Sequence, residues 1–347
     1  MTGIRESGAS VADGDSLLSY GGVHRAQRQL GDRVVQTPVI RSDELDQLAG
    51  ARLWLKAENL QRGGSFKMRG AVLAVERLAA AGSRGVVAQS TGNHAIAVAL
   101  AARERDLPAV LVLPLDAATS KIRRIRDAGA EVILAGAVLA DRVAVVDQLR
   151  TARGLDVIDP YQNPDVVAGQ GTATAELVDQ VRAAGGRLDA VVIPVGGGSA
   201  VAGACLATSG QGISVIAAEP AAVPALSHAL RAGHPVTVPV GPTIADGLRP
   251  DRVGQLPFDL ARRSVADVVI LDETAIAEAL CLALTHARLL VEPAAATALA
   301  AALQCANWFG SPIGDIGVLL SGGNVQADLV SGLLARHVDP EPGGHSA

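Results

Sequence analysis

Lysine, aromatic residues and net charge are all scarce in this chain of 347 residues. Phenylalanine, tryptophan and tyrosine together make up 2% of the sequence, which argues against modules that stack nucleic-acid bases on aromatic rings. The formal net charge is −5 at pH 7, so the composition indicates no strongly basic face for a phosphate backbone. We therefore expect no nucleic-acid partner.

The three cysteines, Cys205, Cys281 and Cys305, lie far apart in apolar segments and form no CxxC pair. This spacing favours buried core positions over a disulfide or a metal site, and we predict no metal. No apolar run reaches the ~18 residues typical of a membrane-spanning helix. The N-terminal segment also lacks the apolar stretch of a signal peptide. We expect a cytoplasmic protein with no membrane partner.

Short apolar runs alternate with segments of helical periodicity along most of the chain. Runs that are apolar on both faces are typical of parallel strands covered by helices. The connections between these runs are long enough for crossover helices. We therefore predict an α/β fold with mostly parallel twisted sheets and helices on both faces. The predicted strands are Arg52–Glu58, Gly85–Ser90, Ala109–Pro114, Glu131–Gly136, Ala190–Gly198, Ile213–Pro220, Asp267–Leu271 and Ile316–Gly323.

One connection illustrates the helical pattern. The segment Ser120–Gly129 places apolar residues on one stripe and arginines opposite, and its terminal glycine is expected to end the helix. The two ends of the chain, residues 1–17 and 339–347, have the composition of disordered termini.

Three consecutive glycines, Gly196, Gly197 and Gly198, separate a predicted strand from a helix of small residues. Such a turn points backbone N–H groups outward at a helix N-terminus, where the helix dipole favours an anion. The pattern indicates either a phosphate-binding loop or a tight turn packed against a neighbour. Position 201 is valine where the dinucleotide fingerprint needs a third glycine, which argues against a nicotinamide oxidoreductase.

Two further polar turns follow predicted strands. Ser321 lies at the carboxyl end of a strand, where open α/β sheets bind ligands, although a lone serine is also a common turn former. The turn Ser90-Thr91-Gly92-Asn93 offers hydroxyl, amide and backbone donors that suit a small anion such as a carboxylate. His94 is either a ligand of that anion or a first-turn histidine bonded to a backbone carbonyl.

Lys67 is one of only three lysines and follows Gly63-Gly64-Ser65-Phe66. A lysine near apolar groups at the mouth of a sheet loses hydration, which disfavours the ammonium and leaves a nucleophilic amine. Arginine cannot act in this way because it stays protonated. The position therefore predicts a chemical role for Lys67.

Seven short motifs occur in order between about Arg25 and Arg336: GGSFKMRGA, STGNHA, AGQGTATAE, PVGGGSAVAG, TIADGL, EPAAA and LLSGGNV. Together they resemble the threonine/serine dehydratase family of pyridoxal-phosphate enzymes, of the tryptophan-synthase-β fold type, which includes serine racemase and hydroxyaspartate dehydratase. The resemblance implies two lobes with pyridoxal 5′-phosphate between them. It implies a small domain over residues 85–160 and a large cofactor-binding domain over residues 1–84 and 161–347.

The resemblance also implies roles for individual residues. Lys67 matches the lysine that bonds covalently to the cofactor and later acts as the base. Asn93 matches the residue that bonds the ring hydroxyl, Ser321 the residue that bonds the pyridine nitrogen, and Phe66 the residue packed against the ring. The phosphate loop matches Gly196, Gly197, Gly198, Ser199 and Ala200, and the loop for the substrate carboxylate matches Ser90, Thr91, Gly92, Asn93 and His94.

The implied reaction is loss of the β-hydroxyl from a hydroxy amino acid such as L-threonine or L-serine, which gives a 2-oxo acid and ammonia. Relatives of this kind are commonly homodimers or homotetramers. β-Replacement, racemisation and a specialised ammonia-lyase reaction on a related β-substituted amino acid remain alternatives. A catalytically inactive regulatory subunit that binds the cofactor is a remote alternative, because the chain has the lysine that catalysis needs, Lys67.

Several positions depart from the family pattern. Thr91 stands where many threonine dehydratases have alanine and serine racemases have an acid/base serine, and we predict a catalytic role for it. Tyr161 takes a place that is often aromatic in dehydratases and polar in racemases. Glu219 matches a metal ligand of the racemases, but Ala225 replaces the partner carboxylate, so we expect no such metal site. We also expect no C-terminal regulatory domain of the kind that longer biosynthetic enzymes of the family carry.

Overall fold

The computed structural model of the chain describes residues 16–90, 92–117, 119–136, 139–304 and 314–337. Thr91, Cys305 and nearly all of the termini that we predict to be disordered lie outside these ranges. The helices are α1 (Tyr20–Leu30), α2 (Asp43–Ala49), α3 (Lys67–Ala80), α4 (Asn93–Arg103), α5 (Thr119–Asp127), α6 (Leu139–Arg153), α7 (Pro164–Ala183), α8 (Ser199–Ala207), α9 (Ala225–Ala232), α10 (Gln255–Ser264), α11 (Glu273–Thr285), α12 (Pro293–Leu303) and α13 (Ala327–His337).

The strands form two sheets. They are β1 (Val39–Ile40), β2 (Arg52–Ala57), β3 (Val86–Gln89), β4 (Ala109–Leu113), β5 (Glu131–Leu134), β6 (Asp156–Val157), β7 (Ala190–Pro194), β8 (Ser214–Pro220), β9 (Val265–Leu271) and β10 (Asp315–Leu320). The six-stranded sheet has the order β1-β2-β10-β7-β8-β9, and the four-stranded sheet has the order β5-β4-β3-β6. Every pairing is parallel except that of β1 with β2. The predicted α/β fold is confirmed.

Every predicted strand overlaps an observed strand. Several predictions run too far at their carboxyl ends, and two begin late, because β9 starts at Val265 and β10 at Asp315. The prediction Ala190–Gly198, for example, contains a strand that ends at Pro194, because the three glycines form the turn into α8. The two-residue strands β1 and β6 are too short for an apolar run to predict them. The predicted helix Ser120–Gly129 is α5, and Gly129 follows it with φ of +87°.

Helices cover both faces of the six-stranded sheet. Along β7, Ala190 and Val192 pack into a core that includes residues of α11 and α12. The alternate residues Val191 and Ile193 pack on the other face with residues of α7 and α8. Successive strand residues point to opposite faces, so burial on both faces explains the continuous apolar runs. Within the described ranges, no helix combines the length and apolar character that crossing a membrane requires.

Glycines bring three of these helices into close contact. A Cβ atom added to Gly169 on α7 would lie 2.6 Å from the Cα of Gly70 on α3. A Cβ atom added to Gly203 on α8 would lie 2.5 Å from the nitrogen of Gly171 on α7. Both distances are far below van der Waals contact, so α3 and α8 can approach α7 this closely only because these positions lack side chains. The contacts fix helix α3, which begins at Lys67, relative to α8.

A buried cluster of charges also holds α3. The guanidinium of Arg69 donates to both carboxylate oxygens of Glu58 (2.9 and 2.7 Å) and of Glu176 (2.8 and 2.7 Å). Lys56 on β2 donates to Glu176 over 2.8 Å. Burial opposes the charge of Arg69, but the two carboxylates outweigh it and raise the pKa of the guanidinium. The cluster therefore ties β2, α3 and α7 together.

We predict that Arg69→Met lowers the free energy of unfolding by about 3–5 kcal/mol, because it leaves two buried carboxylates with too little positive charge. Urea denaturation measures the change. The matched control is Arg150→Met, which removes an exposed pair with Asp147 (3.8 Å) and should cost less than about 1 kcal/mol. Equal losses in the two variants would contradict this account of the cluster.

Candidate active site

A cavity lies where strands β3, β7 and β10 end, at the carboxyl edges of both sheets. Most of the predicted site residues line it, namely Phe66, Lys67, Ser90, Asn93, His94, Gly196, Gly197, Gly198, Ser199, Ala200 and Ser321. Gly92 is not among the residues that line this cavity, and Thr91 lies outside the described residues. The roles assigned to these residues remain predictions, but the chain brings nearly all of them to one place.

Lys67 is the first residue of α3, and its amine reaches into the cavity. The Nζ atom donates to Ser199 Oγ over 3.3 Å. It also lies 4.9 Å from the ring centre of Phe66 and 5.6 Å from that of Tyr161. Burial lowers the pKa of Lys67 to about 8, against the opposing effect of Asp159 and Glu292. This amine therefore loses its proton far more readily than an ordinary lysine does, as a nucleophile or base requires.

The chain before Lys67 is anchored to the end of β10. Phe66 N donates to the carbonyl of Ser321 over 3.0 Å, and Gly323 N donates to the carbonyl of Gly64 over 2.9 Å. Gly63 and Gly64 have φ of +71° and +77°, a left-handed conformation that favours glycine. These bonds place Ser321 beside Lys67, although the two residues are far apart in sequence.

The three glycines form the turn from β7 into α8. Gly198 has φ of +98° and precedes the first residue of the helix. The first N–H groups of α8 have no acceptor within the helix and point toward the cavity end. A Cβ atom on Gly197 would lie 2.1 Å from Cδ1 of Tyr161. Because Gly196, Gly197 and Gly198 have no side chains, the backbone N–H groups of this turn are accessible to an anion in the cavity.

A hydrogen bond to a side-chain hydroxyl stabilises the turn after β3. Ser90 Oγ accepts a hydrogen bond from Gly92 N over 2.9 Å. His94 Nε2 lies 3.1 Å from the carbonyl oxygen of Ile158, which agrees with the interpretation of His94 as a first-turn histidine bonded to a backbone carbonyl. Burial, with a smaller contribution from the nearby charge of Lys67, lowers the pKa of His94 to about 3. A neutral imidazole that donates from Nε2 presents only an acceptor at Nδ1, which does not suit a carboxylate.

Glu292 and Asn324 contact Asn93, although no pattern in the sequence predicts a role for either. Asn93 Nδ2 donates to both carboxylate oxygens of Glu292 (2.8 and 3.0 Å), and Asn93 Oδ1 accepts from Asn324 Nδ2 over 2.8 Å. Both residues belong to motifs noted above, EPAAA and LLSGGNV. Glu292 directly precedes the proline that begins α12, so the sequence alone suggests a residue at a helix terminus. Its side chain instead orients Asn93.

Burial raises the pKa of Glu292 to about 7, although the hydrogen bonds from Asn93 favour the ionised form. The side chain is 3% exposed and lines the cavity together with Lys67. An acid that titrates near neutral pH thus lies beside an amine with a lowered pKa, an arrangement that is common at catalytic sites.

Lys121 and Asp246 both line the cavity and form an ion pair. The aliphatic part of Lys121 also covers the turn after β3, because a Cβ atom on Gly92 would lie 2.7 Å from Lys121 Cδ. No pattern in the sequence predicts a role for either residue. The pair connects α5, beside the four-stranded sheet, to the segment before α10.

Glu219 stabilises the first turn of α9. Its carboxylate accepts hydrogen bonds from the backbone nitrogens of Leu226 and Ser227, over 2.7 and 2.9 Å, in the first turn of α9. An ionised carboxylate at this position also complements the helix dipole. Glu219 therefore caps a helix, and Ala225 supplies no second carboxylate.

We predict that Glu292→Gln flattens the pH dependence of stability of the cofactor-free protein. The folded pKa of Glu292 lies above the ordinary value of 4.5, so its stabilising contribution is present below pH 4.5 and is lost as the pH rises through 7. The shift corresponds to about 3 kcal/mol at most. Melting temperatures of wild type and variant from pH 4.5 to 8 measure the difference. The control is the exposed Glu278→Gln, and an unchanged slope in Glu292→Gln would refute the account.

Comparison with known proteins places these residues in a family. The family model described as "Pyridoxal-phosphate dependent enzyme" matches residues 31–322. L-threo-3-hydroxyaspartate ammonia-lyase of Saccharomyces cerevisiae is 36% identical over 322 residues, which cover 90% of this chain and 97% of that protein. L-threonine ammonia-lyase of Thermotoga maritima is 33% identical over 323 residues, which cover 92% of this chain and 79% of that protein.

The fold agrees with these matches. Maize serine racemase superimposes with a TM-score of 0.84 at 34% identity, covering 92% of this chain and 98% of that chain. The predicted tryptophan-synthase-β-like fold type is thereby confirmed. The family model spans most of the chain, and relatives more than 30% identical to it cover about nine-tenths of its length. The chain therefore belongs to the family of pyridoxal-phosphate-dependent enzymes.

Proposed function

We propose that this enzyme eliminates water from a small β-hydroxy amino acid such as L-serine or L-threonine, which yields a 2-oxo acid and ammonia. The observation that carries the proposal is the amine of Lys67, whose pKa is lowered to about 8 in a cavity between two turns suited to anions. One turn suits a phosphate and the other a carboxylate, so an amino acid and the cofactor can meet at the amine. Several relatives are named as ammonia-lyases of hydroxy amino acids.

The residues of the cavity fit pyridoxal 5′-phosphate. The glycine turn at the start of α8 presents backbone donors to a phosphate. A Cβ atom on Gly197 would clash with Tyr161 at 2.1 Å, and one on Gly196 would lie tightly packed, 3.1 Å from the carbonyl oxygen of Gly247. Phe66 offers an apolar face beside Lys67, and Ser321 offers a hydroxyl at the end of β10. We assign the phosphate to residues 196–200, the ring to Phe66, Asn93 and Ser321, and the covalent bond to Lys67. When bound, this cofactor withdraws electrons from the substrate Cα.

The protein's own groups then bind the substrate and move protons. We assign the substrate carboxylate to the turn from Ser90 to Asn93, where backbone N–H groups start helix α4. The Nζ atom of Lys67 takes the proton from the substrate Cα. Glu292 keeps the Asn93 amide in place through two hydrogen bonds, and Asn324 holds its other end. The ion pair of Lys121 and Asp246 forms part of the cavity lining.

The domain division and the cellular context belong to the same proposal. The four strands of the smaller sheet all fall within residues 85–160, which supports a small domain with those bounds beside a large domain of residues 1–84 and 161–347. We retain a homodimer or homotetramer and a cytoplasmic location as predictions. The catalytic role of Thr91 likewise stays a prediction.

We expect Lys67→Ala to abolish the release of 2-oxo acid from serine and threonine, with turnover at least about 10³-fold below wild type, because the nucleophile and the base are the same amine. Coupled assays of pyruvate and 2-oxobutanoate formation measure it. Wild-type turnover in this variant, assayed without an added amine, would disprove the assignment of Lys67. D-Serine formation, measured by chiral chromatography in the same incubations, tests racemisation as the second activity.

We expect Gly197→Ala to weaken binding of pyridoxal phosphate about tenfold or more. A methyl group at this position must displace the ring of Tyr161, which lies 2.1 Å from the added Cβ atom. Equilibrium dialysis of the cofactor measures the affinity. Gly332→Ala on α13 is the control, since its added methyl group would lie in ordinary contact, 3.6 Å from Nη1 of Arg336. Unchanged affinity in a folded Gly197→Ala protein would refute the role of the turn.

A further inference from the structure

An exposed arginine on α5 reaches across to the segment that follows β10. Nη1 of Arg124 donates to Oδ1 of Asn324, and Nη2 donates to the carbonyl oxygen of Gly63 over 3.2 Å. Helix α5 lies beside the four-stranded sheet, whereas β10 belongs to the six-stranded sheet. One guanidinium thus contacts both the loop before Lys67 and the asparagine that holds Asn93.

Asn324 uses its whole side-chain amide in these contacts. Its Nδ2 atom donates to the carbonyl oxygen of Gly63 and to Oδ1 of Asn93, each over 2.8 Å, while its Oδ1 accepts from Arg124. The side chain also lies against Gly64, where an added Cβ atom would be 2.4 Å from Asn324 Oδ1. Because both hydrogens and the oxygen are engaged, only one orientation of this amide satisfies its neighbours.

The hydrogen bonds between these side chains run in one direction. Arg124 donates to Asn324, which donates to Asn93. Asn93 in turn donates to both carboxylate oxygens of Glu292. An asparagine amide can turn over and exchange its oxygen and its nitrogen, so its neighbours decide which end faces which group. The two ends of this chain of bonds therefore set the orientation of the two amides between them.

Of the two ends, only the guanidinium is a donor in every protonation state. Arginine has N–H groups and no acceptor, and it keeps its charge. Glu292 accepts when it is ionised, but burial raises its pKa to about 7, and a protonated carboxyl group can donate as well. The carboxyl end therefore does not fix the direction by itself near neutral pH, whereas Arg124 does.

We propose that Arg124 is a positioning residue that acts through Asn324 and turns the Asn93 amide so that an N–H group, and not the amide oxygen, faces the ring oxygen of pyridoxal 5′-phosphate. This inference rests on the proposed function, which assigns the cofactor ring to Asn93, and adds a residue that does not line the cavity. The Nδ2 atom of Asn93 carries two hydrogens, and a three-centre bond to one carboxylate uses one of them. The other hydrogen is then available to the ring oxygen.

The test measures binding of pyridoxal 5′-phosphate and of 3-deoxypyridoxal 5′-phosphate, an analogue without the ring oxygen, by equilibrium dialysis near neutral pH. Wild type should bind the natural cofactor about tenfold more tightly than the analogue, as expected for one hydrogen bond to a charged group. Arg124→Met should lose most of this preference, with the affinity for the analogue unchanged within about twofold. Because Arg124 is exposed, its removal should leave the melting temperature of the cofactor-free protein close to that of wild type.

Three further variants separate the direction of the bonds from the loss of a charge. Arg124→Glu places an acceptor where Oδ1 of Asn324 needs a donor, so it should reduce the preference at least as far as Arg124→Met does. Arg123→Met removes the same charge from the adjacent exposed position of α5 and should keep the wild-type preference. Asn93→Ala removes the amide itself and gives the ratio that a complete loss would have.

Two outcomes would overturn this inference alone. If Asn93→Ala removes the preference but Arg124→Met and Arg124→Glu keep it, the amide is oriented without the arginine. If Arg124→Met weakens both ligands equally, the arginine does not act on the ring oxygen. A wild-type protein without the preference, or a preference that survives Asn93→Ala, would overturn the ring assignment of Asn93 as well. The release of 2-oxo acid from serine is a separate measurement, so these ratios do not decide the proposed reaction.

Discussion

The buried charge cluster around Arg69 is the constraint on which the site depends. Two carboxylates, from Glu58 and Glu176, hold one guanidinium on α3, and Lys56 shares the second carboxylate. Charges removed from water are tolerated only when their partners are close and well oriented. The cluster therefore fixes α3 against β2 and α7, and Lys67 lies two residues before Arg69 on the same helix. The position of the reactive amine follows from a set of ion pairs that never touch the cavity.

Contacts between distant segments of the chain also fix the polar residues around Lys67. Asn93 is held at both ends, by Glu292 and by Asn324, and these three residues come from segments after β3, before α12 and after β10. An amide held at both ends keeps its orientation, and a group that it binds meets its N–H and carbonyl at fixed places. Glu292 contributes this rigidity whether or not it also carries a proton.

The sequence predicts the fold better than it predicts the site. The long apolar strands and the glycine turn before α8 are local patterns, and the structure has them where the residues indicate. The two-residue strands β1 and β6 carry too little pattern to be predicted. Lys67 stands out because lysine is rare here, whereas Glu292 looks like an ordinary residue before a helix. Its contact with Asn93 joins positions 199 residues apart, a pairing that no local pattern contains.

The scarcity of lysine has a practical consequence for covalent chemistry. The amine of Lys56 is buried and donates to Thr37, Glu176 and Gln180, and that of Lys121 is paired with Asp246. Lys67 is the remaining lysine, and its pKa is lowered to about 8. In the cofactor-free protein, an acylating reagent used near pH 8 would meet one side-chain amine that is both reactive and open to a cavity. The enzyme is thus suited to carrying one side-chain probe at its centre with no residue replaced, once the α-amino group is blocked.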